Sequence, residues 1–553
     1  MSSPRRRILG LALVLLTVPA LLAPQAAQAH GFGQRYDLPV PLWLYLYGAA
    51  AAVILSFAAV ALFVGQGRAP DHYPRYNLLR LRPFRRVFGN AYFLGGVRLL
   101  SVALFFLTIV SGLFGQQASA FNFAPTFVWI VWWVGLSLCS ALIGDLWPLV
   151  NPWAILFDRA DAWARRAGGG LDGDAPYPAR WGVWPALLLY CAFVWVEIVY
   201  EGAPTPANIA MLALAYSLVT WGGMLRYGKD AWLARGEAFT VFFGILARFA
   251  PTELRVTDRA LCRECPAGCA TADGCVNCAA CFAWADPADR ELNLRPWGVG
   301  LLRAEAAGFD RLAFVVFMLA GVTFDGLVVT SFWAQVQTIF YPHLGWLGRH
   351  AYFLVQTLGL LALPALFLAL YLACCAAARR LGGRTPDPRP LAGAFIYALV
   401  PIALAYQLAH YLSYLLIQGQ RLIPLLSDPL GLGWDLFGTA GYTVRVGIID
   451  ARTAWYVQVA AIVIGHVLAV YLAHVIALRR FPSSRRALRS QLPLLALMVL
   501  YTVSSLWILS QPTVSEERGT APPVVSAAPS GSAQSAARLR IVAGLMSYHD
   551  GWR

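Results

Sequence analysis

The sequence predicts an all-α protein: a polytopic transmembrane helix bundle of about ten spans with a cytoplasmic Cys-rich loop. Three observations predict it. Hydrophobic residues make up 59% of the 553 and charged residues only 13%, where a soluble domain carries about 25% charged residues. Mean hydropathy is +0.59. The Lys and Arg residues gather in short clusters between long apolar runs. A soluble fold of this length could not cover so much apolar side chain with polar surface, and lipid removes the need. The 20 Trp and 23 Tyr suit the same setting, because their rings collect at headgroup depth.

The first element is a secretory signal peptide over 1–29. Arg5, Arg6 and Arg7 form its basic start, 8–23 its apolar core, and Ala27-Gln28-Ala29 a small-x-small cleavage site. Cleavage there leaves His30 at a periplasmic N-terminus, where amine and ring together offer a copper chelate. Each span needs roughly 20 apolar residues. They fall at 42–64, 93–115, 125–146, 183–201 and 206–226, within a first membrane region of 30–250. Five more fall at 311–331, 351–376, 393–416, 454–478 and 492–511, within a second region of 304–512.

The charges test this ladder. Five loops due inside are rich in arginine, from Arg68 through Arg86 to Arg479 through Arg489, while the short outside loops 116–124 and 201–207 carry no Lys or Arg and the longer outside loops carry Arg349 in one and Arg421, Arg445 and Arg452 in the other. That positive-inside pattern explains the net charge of +15 and argues against a nucleic-acid partner. The ladder predicts a bacterial inner-membrane protein with the lipid bilayer as its principal partner. Residues 236–250 are too short to cross and are expected along the cytoplasmic interface. Residues 418–452 read as a long periplasmic loop, and 513–553 as a disordered periplasmic tail rich in Ser, Ala and Pro.

Six of ten cysteines lie within twenty residues of the loop 251–303: Cys262, Cys265, Cys269, Cys275, Cys278 and Cys281. A cytoplasmic loop keeps thiols reduced, and pairs two residues apart can turn both thiolates onto one ion. Zinc and an iron–sulfur cluster both use such ligands. The CxxCxxC run of Cys275, Cys278 and Cys281 is ferredoxin-like, but Ala285 stands where that pattern has its fourth cysteine. Disulfides or free thiols are the remaining reading.

Charges inside a membrane are costly, so each ionisable residue within a span is a functional candidate. Glu197 and Asp325 lie toward the periplasmic ends of their spans and His410 in the outer half of its own. His466 is near mid-membrane and His474 near the cytoplasmic end, while Asp145 and Asn151 flank the inner end of another span. Glu197, Asp325, His410 and His466 are the catalytic candidates, converging on an outward-opening cavity. His410 and His466 differ in depth by roughly 8 Å at ~1.5 Å per residue. A His/carboxylate set suits a divalent metal that activates water, a proton relay, or haem ligation. The alternative for each residue is a polar contact between helices. The sequence has no P-loop, GxSxG, GxGxxG after a strand, or HExxH.

Several strings resemble a family of bacterial polytopic membrane proteins known as fenitrothion hydrolases. They are HGFGQRYDLPVPLWLYLYG at 30–48, GDLWPLVNPW at 144–153, TFDG at 323–326, DPLGLGWDLFGTAGY at 428–442 and GHVLAVYLAH at 465–474. The resemblance covers nearly the whole mature chain, with the Cys loop matching least well, and carries no family catalytic motif. It implies a membrane-bound hydrolase of organophosphorus triesters acting on a neutral, lipophilic small molecule. The competing reading is a transporter or metal-handling membrane protein whose buried charges line a path.

Overall fold

The computed structural model describes residues 40–65, 73–265, 269–271, 274–302, 307–383 and 388–511. Residues 1–29, expected to form a signal peptide, His30 and the expected tail 513–553 lie outside the described residues. Among the described residues, ten helices are long and apolar enough to cross a bilayer, which makes the chain a multi-pass membrane protein. They are α1 (Leu42–Phe63), α2 (Ala91–Phe114), α3 (Phe123–Leu142), α4 (Ala179–Ile198), α5 (Pro206–Tyr227), α7 (Phe309–Val328), α8 (His350–Gly382), α9 (Leu391–Ser427), α10 (Ala451–Arg480) and α11 (Ser484–Ser510). Each falls on an expected span. Helix is the form these segments must take, because only intra-segment hydrogen bonds satisfy a backbone in hydrocarbon.

Burial orders the bundle. Helix α9 is almost wholly enclosed, whereas α1 and α2 turn most of their surface outward. Helices α1, α8, α10 and α11 pack together, α10 packs on α9, and α7 lies between α8 and α9. Helices α2, α3 and α5 form the neighbouring group, joined to the rest through α4 on α7 and α3 on α9. Within α3, Thr126–Gly135 is a π-helix between short α-helical ends. Its wider turn shifts the facing of the tryptophans that it carries.

The segment expected along the interface is instead inside the protein. Helix α6 (Ala238–Ala247) has eight of its ten residues buried and packs against α3 and α4. An interfacial helix keeps one polar face; AFTVFFGILA has none, so it was free to bury on all sides. Its N-terminus is capped by Glu237, which accepts from the Phe239 and Thr240 amides at 3.0 and 2.6 Å.

The Cys-rich loop is a small lobe built on a five-stranded antiparallel sheet in the order β1-β5-β2-β4-β3. The strands are β1 (Tyr76–Asn77), β2 (Thr252–Val256), β3 (Ala270–Thr271), β4 (Gly274–Val276) and β5 (Arg290–Leu294). Strand β1 comes from the loop after α1 and pairs Tyr76 with Leu294. Two loops expected on one side of the membrane therefore meet in one sheet. Gly274 has φ +97°, and a Cβ there would stand 2.1 Å from the Val256 carbonyl oxygen, so only glycine permits this strand to approach β2.

A buried ion pair fastens lobe to bundle. Arg295, 4% exposed, meets Glu253, 2% exposed, with N–O 2.5 Å. Glu253 also accepts from the Tyr73 hydroxyl at 2.9 Å and from Arg75 at 2.5 Å. The same Arg295 donates to the carbonyls of Ala247, Arg248 and Ala250 just past α6, where a cation complements a helix C-terminus. Removing one partner of such a pair leaves the other buried and unpaired, a cost of about 3–5 kcal/mol. Glu253→Gln is expected to make the lobe lose protection from trypsin well below the unfolding temperature of the bundle. Equal protection in wild type and variant would reject this anchor.

Candidate functional site

Helices α4 and α7 are pinned together at the lobe end, where Asp310 accepts from the Val183 amide at 2.8 Å. Between the ends, Tyr190 stacks on Phe314 with ring centroids 5.1 Å apart. At the far end the same two helices present Glu197 and Asp325. Helix α9 completes the site. Its Tyr411 hydroxyl lies 2.5 Å from Asp325 Oδ2 and 3.0 Å from Glu197 Oε1, and its His410 Nε2 lies 2.9 Å from the same Asp325 oxygen. Helix α3 adds Trp133, whose indole N–H donates to Glu197 Oε1 at 2.7 Å. Tyr406 stacks on His410 one turn earlier, at 6.1 Å. A Cβ on Gly326, next to Asp325, would fall 2.3 Å from the Tyr406 hydroxyl, so this glycine lets α7 and α9 close on the site.

The structure therefore brings together Glu197, Asp325 and His410, and leaves His466 apart. His466 is fully buried on α10; its Nδ1 contacts the Ile462 carbonyl at 2.8 Å and its Nε2 has no hydrogen-bond partner among the described residues. It faces the Tyr501 ring at 5.8 Å, and Tyr501 in turn bonds Thr323, two residues before Asp325. His474 bridges Gln491 and the Val64 carbonyl at 3.1 and 3.0 Å, a helix-joining role. Sequence spacing missed Tyr411 and Trp133, although Tyr411 is adjacent to His410 and the chain offered both as polar groups at the right depth.

What this set can do follows from counting protons. Tyr411 has one hydroxyl proton and two carboxyl oxygens against it, so complete pairing requires a further proton shared among the three oxygens. The set therefore joins groups that can share and exchange a proton. The Asp325 and His410 side chains are each 19% exposed, so a small molecule or water can reach them. Glu197, Asp325 and His410 do not form a set of three donors facing one point. Among the described residues, the groups of three or more ligand atoms within 4.8 Å are all made of cysteine.

The lobe holds those groups. Cys265, Cys269, Cys278 and Cys281 place their sulfurs within 4.8 Å of one another, with Cys265–Cys278 at 3.7 Å and Cys269–Cys281 at 3.3 Å. These four could hold a metal ion. Cys262 and Cys275 are joined as a disulfide, Cα–Cα 5.7 Å, so the six expected ligands divide into four and two, although Cys281 also lies within 4.8 Å of that pair. Contact with the Cys265 and Cys269 thiols, and then burial, pushes the Cys278 thiol well above its ordinary value. Four thiols crowded together resist ionisation; a cation among them reverses that balance.

No known protein family, curated protein or solved structure matches the chain.

Asp145, just past α3, sits where β2 meets the bundle: the Thr252 hydroxyl donates to the nearby Ile143 carbonyl at 2.5 Å. Burial pushes the Asp145 carboxyl up to about 7, so the folded protein holds this proton more tightly than an unfolded chain, whose Asp titrates near ~3.9. The associated stability is complete below about pH 4 and is lost as pH rises through about 7. Melting curves of detergent-solubilised protein are expected to fall between pH 5 and 8, and Asp145→Asn to flatten that slope. Parallel pH profiles for the two proteins would refute the assignment.

Proposed function

We propose that the protein is a membrane-embedded hydrolase of neutral, lipophilic organophosphorus triesters with an aryl leaving group. The observation that carries this reading is the single hydrogen-bonded set His410–Asp325–Tyr411–Glu197, assembled from three helices and open to a small molecule. Asp325 accepts a hydrogen bond from the His410 Nε2–H, and the unprotonated Nδ1 serves as the base. Nδ1 takes a proton from water as its oxygen attacks phosphorus in line, and the bond to the aryl oxygen breaks. The phenolate departs, and the imidazolium returns its proton to solvent. Tyr411 and Glu197 hold Asp325 in place and keep a proton within reach. The resemblance to fenitrothion hydrolases supports the substrate class. With the arginine-rich loops in the cytosol of a bacterial inner membrane, this site opens to the periplasm, where the outer leaflet delivers such a substrate.

A second reading, a proton-coupled transporter, is favoured by one specific feature: two carboxyls bridged by a phenol inside a helix bundle. Release of nitrophenol from a triaryl or dialkyl aryl phosphate by purified protein separates the two. Wild type is expected to turn over, and Asp325→Asn and His410→Ala to lose about 10²–10⁴-fold in kcat. Equal rates in all three proteins, or no turnover in any, would count against the hydrolase and leave proton uptake into proteoliposomes as the measurement to make.

The four-cysteine group suits zinc. A tetrahedron with Zn–S near 2.3 Å has sulfurs about 3.8 Å apart, close to the 3.7 Å of Cys265–Cys278. A cubane cluster spreads its thiolates over separate irons and sets them wider. Zinc here would staple the lobe. Metal analysis should find one zinc per chain, kept in Cys262→Ser and lost in Cys278→Ser. An unchanged metal content in Cys278→Ser would reject this ligand set.

A further inference from the structure

A cavity of about 830 Å³ lies on the other side of the helices that build the acid–base set. Drug-sized ligands occupy pockets of ~300–1,000 Å³. Three elements face both places. On α3, Trp132 lines the cavity while Trp133 reaches Glu197; on α4, Val196 lines it beside Glu197 itself; on α9, Leu415 lines it one turn beyond Tyr411. Trp132 and Trp133 are adjacent in the π-helical stretch Thr126–Gly135, so their side chains leave the helix in different directions.

The lining identifies its occupant. Among the described residues, no Asp, Glu, Lys, Arg or His borders the cavity, while nine aromatic rings do, so a charged ligand meets no counter-ion there and an aromatic one has edge and face contacts on several sides. Rim residues Leu100 and Val219 are exposed, at 59% and 46%, on helices α2 and α5, so the cavity opens on the lipid-facing side of the bundle. Its other indole donors are engaged: Trp129 with the Ala203 carbonyl, Trp147 with Glu237, Trp153 with Ser217. The Trp132 N–H donates to no described residue, which leaves one good donor for one ligand oxygen.

We infer that this cavity is a binding site for a neutral aromatic lipophile carrying a single strong hydrogen-bond acceptor, taken up from the bilayer and held beside the acid–base set. The inference rests on the hydrolase reading only for what happens to the ligand afterward.

The test uses the full chain in nanodiscs, photolabelled with a neutral 4-azidophenyl dialkyl phosphate and, separately, with a phospholipid bearing a diazirine in its acyl chain. The aryl probe is expected to label 97–108 and 127–136. Two filling variants from opposite walls, Ala213→Trp and Val196→Phe, should each cut that labelling at least tenfold, so that misfolding of one leaves the other to decide. Trp132→Phe should weaken it about 2- to 10-fold, the worth of one hydrogen bond, without affecting an aryl azide that lacks the phosphoryl oxygen. Asp325→Asn should label like wild type. Labelling indifferent to both filling variants, or an acyl-chain probe that labels the same segments and displaces the aryl one, would overturn the inference. Cavity labelling without turnover keeps this site and sinks the hydrolase; turnover that survives both filling variants does the reverse.

Discussion

Hydrocarbon offers no hydrogen-bond partner, and that constraint governs where each polar group in this bundle goes. Most buried donors and acceptors find a match in their own helix or on a neighbouring one. Tryptophan and tyrosine supply many of the matches. Trp133 and Tyr411 serve Glu197; Trp147 and Tyr216 serve Glu237; Trp333 serves Gln356 at 2.9 Å. Such residues bring a large apolar body with one polar tip, so they fill space in the bundle while satisfying a carboxylate or amide. The acid–base set is an extreme of this pattern, where the number of oxygens outruns the number of protons.

The spans were legible because length and hydropathy report directly on membrane depth. Depth was also enough to group Glu197, Asp325 and His410, since residues at one level on enclosed helices have few places to go. Depth does not report azimuth. It could not show that Trp133 rather than Trp132 turns toward Glu197, because a π-helix rotates residues away from the 3.6-residue period. Nor could it show that α6 is swallowed by the bundle, or that Tyr76 and Asn77 join a sheet whose other strands begin more than 170 residues later. These are long-range pairings, fixed by tertiary packing. The cysteine spacing pointed to metal, but the division into four and two required the fold of the lobe.

The two chemically distinctive centres stand at opposite ends of α7, one at the thiol-bearing lobe and one near Asp325. The lobe is tied to the bundle through Arg295 and the carbonyls that follow α6, and α6 packs against α3 and α4, which deliver Trp133 and Glu197. A rigid path of packed elements thus runs from sheet to acid–base set.

The first helix has a consequence for biogenesis. Helix α1 packs chiefly on α10 and α11, with Tyr45 edge-on to Trp455 at 5.4 Å and its final turn met by His474 through the Val64 carbonyl. Its partners therefore leave the ribosome last. At roughly 5–20 residues per second, the earliest span waits about twenty to ninety seconds in lipid before its neighbours exist. A helix so sparsely enclosed, built almost wholly from alanine, leucine, valine and aromatic residues, suits lipid contact before those partners exist. The sequence of α1 is suited to solitude first and to packing afterward.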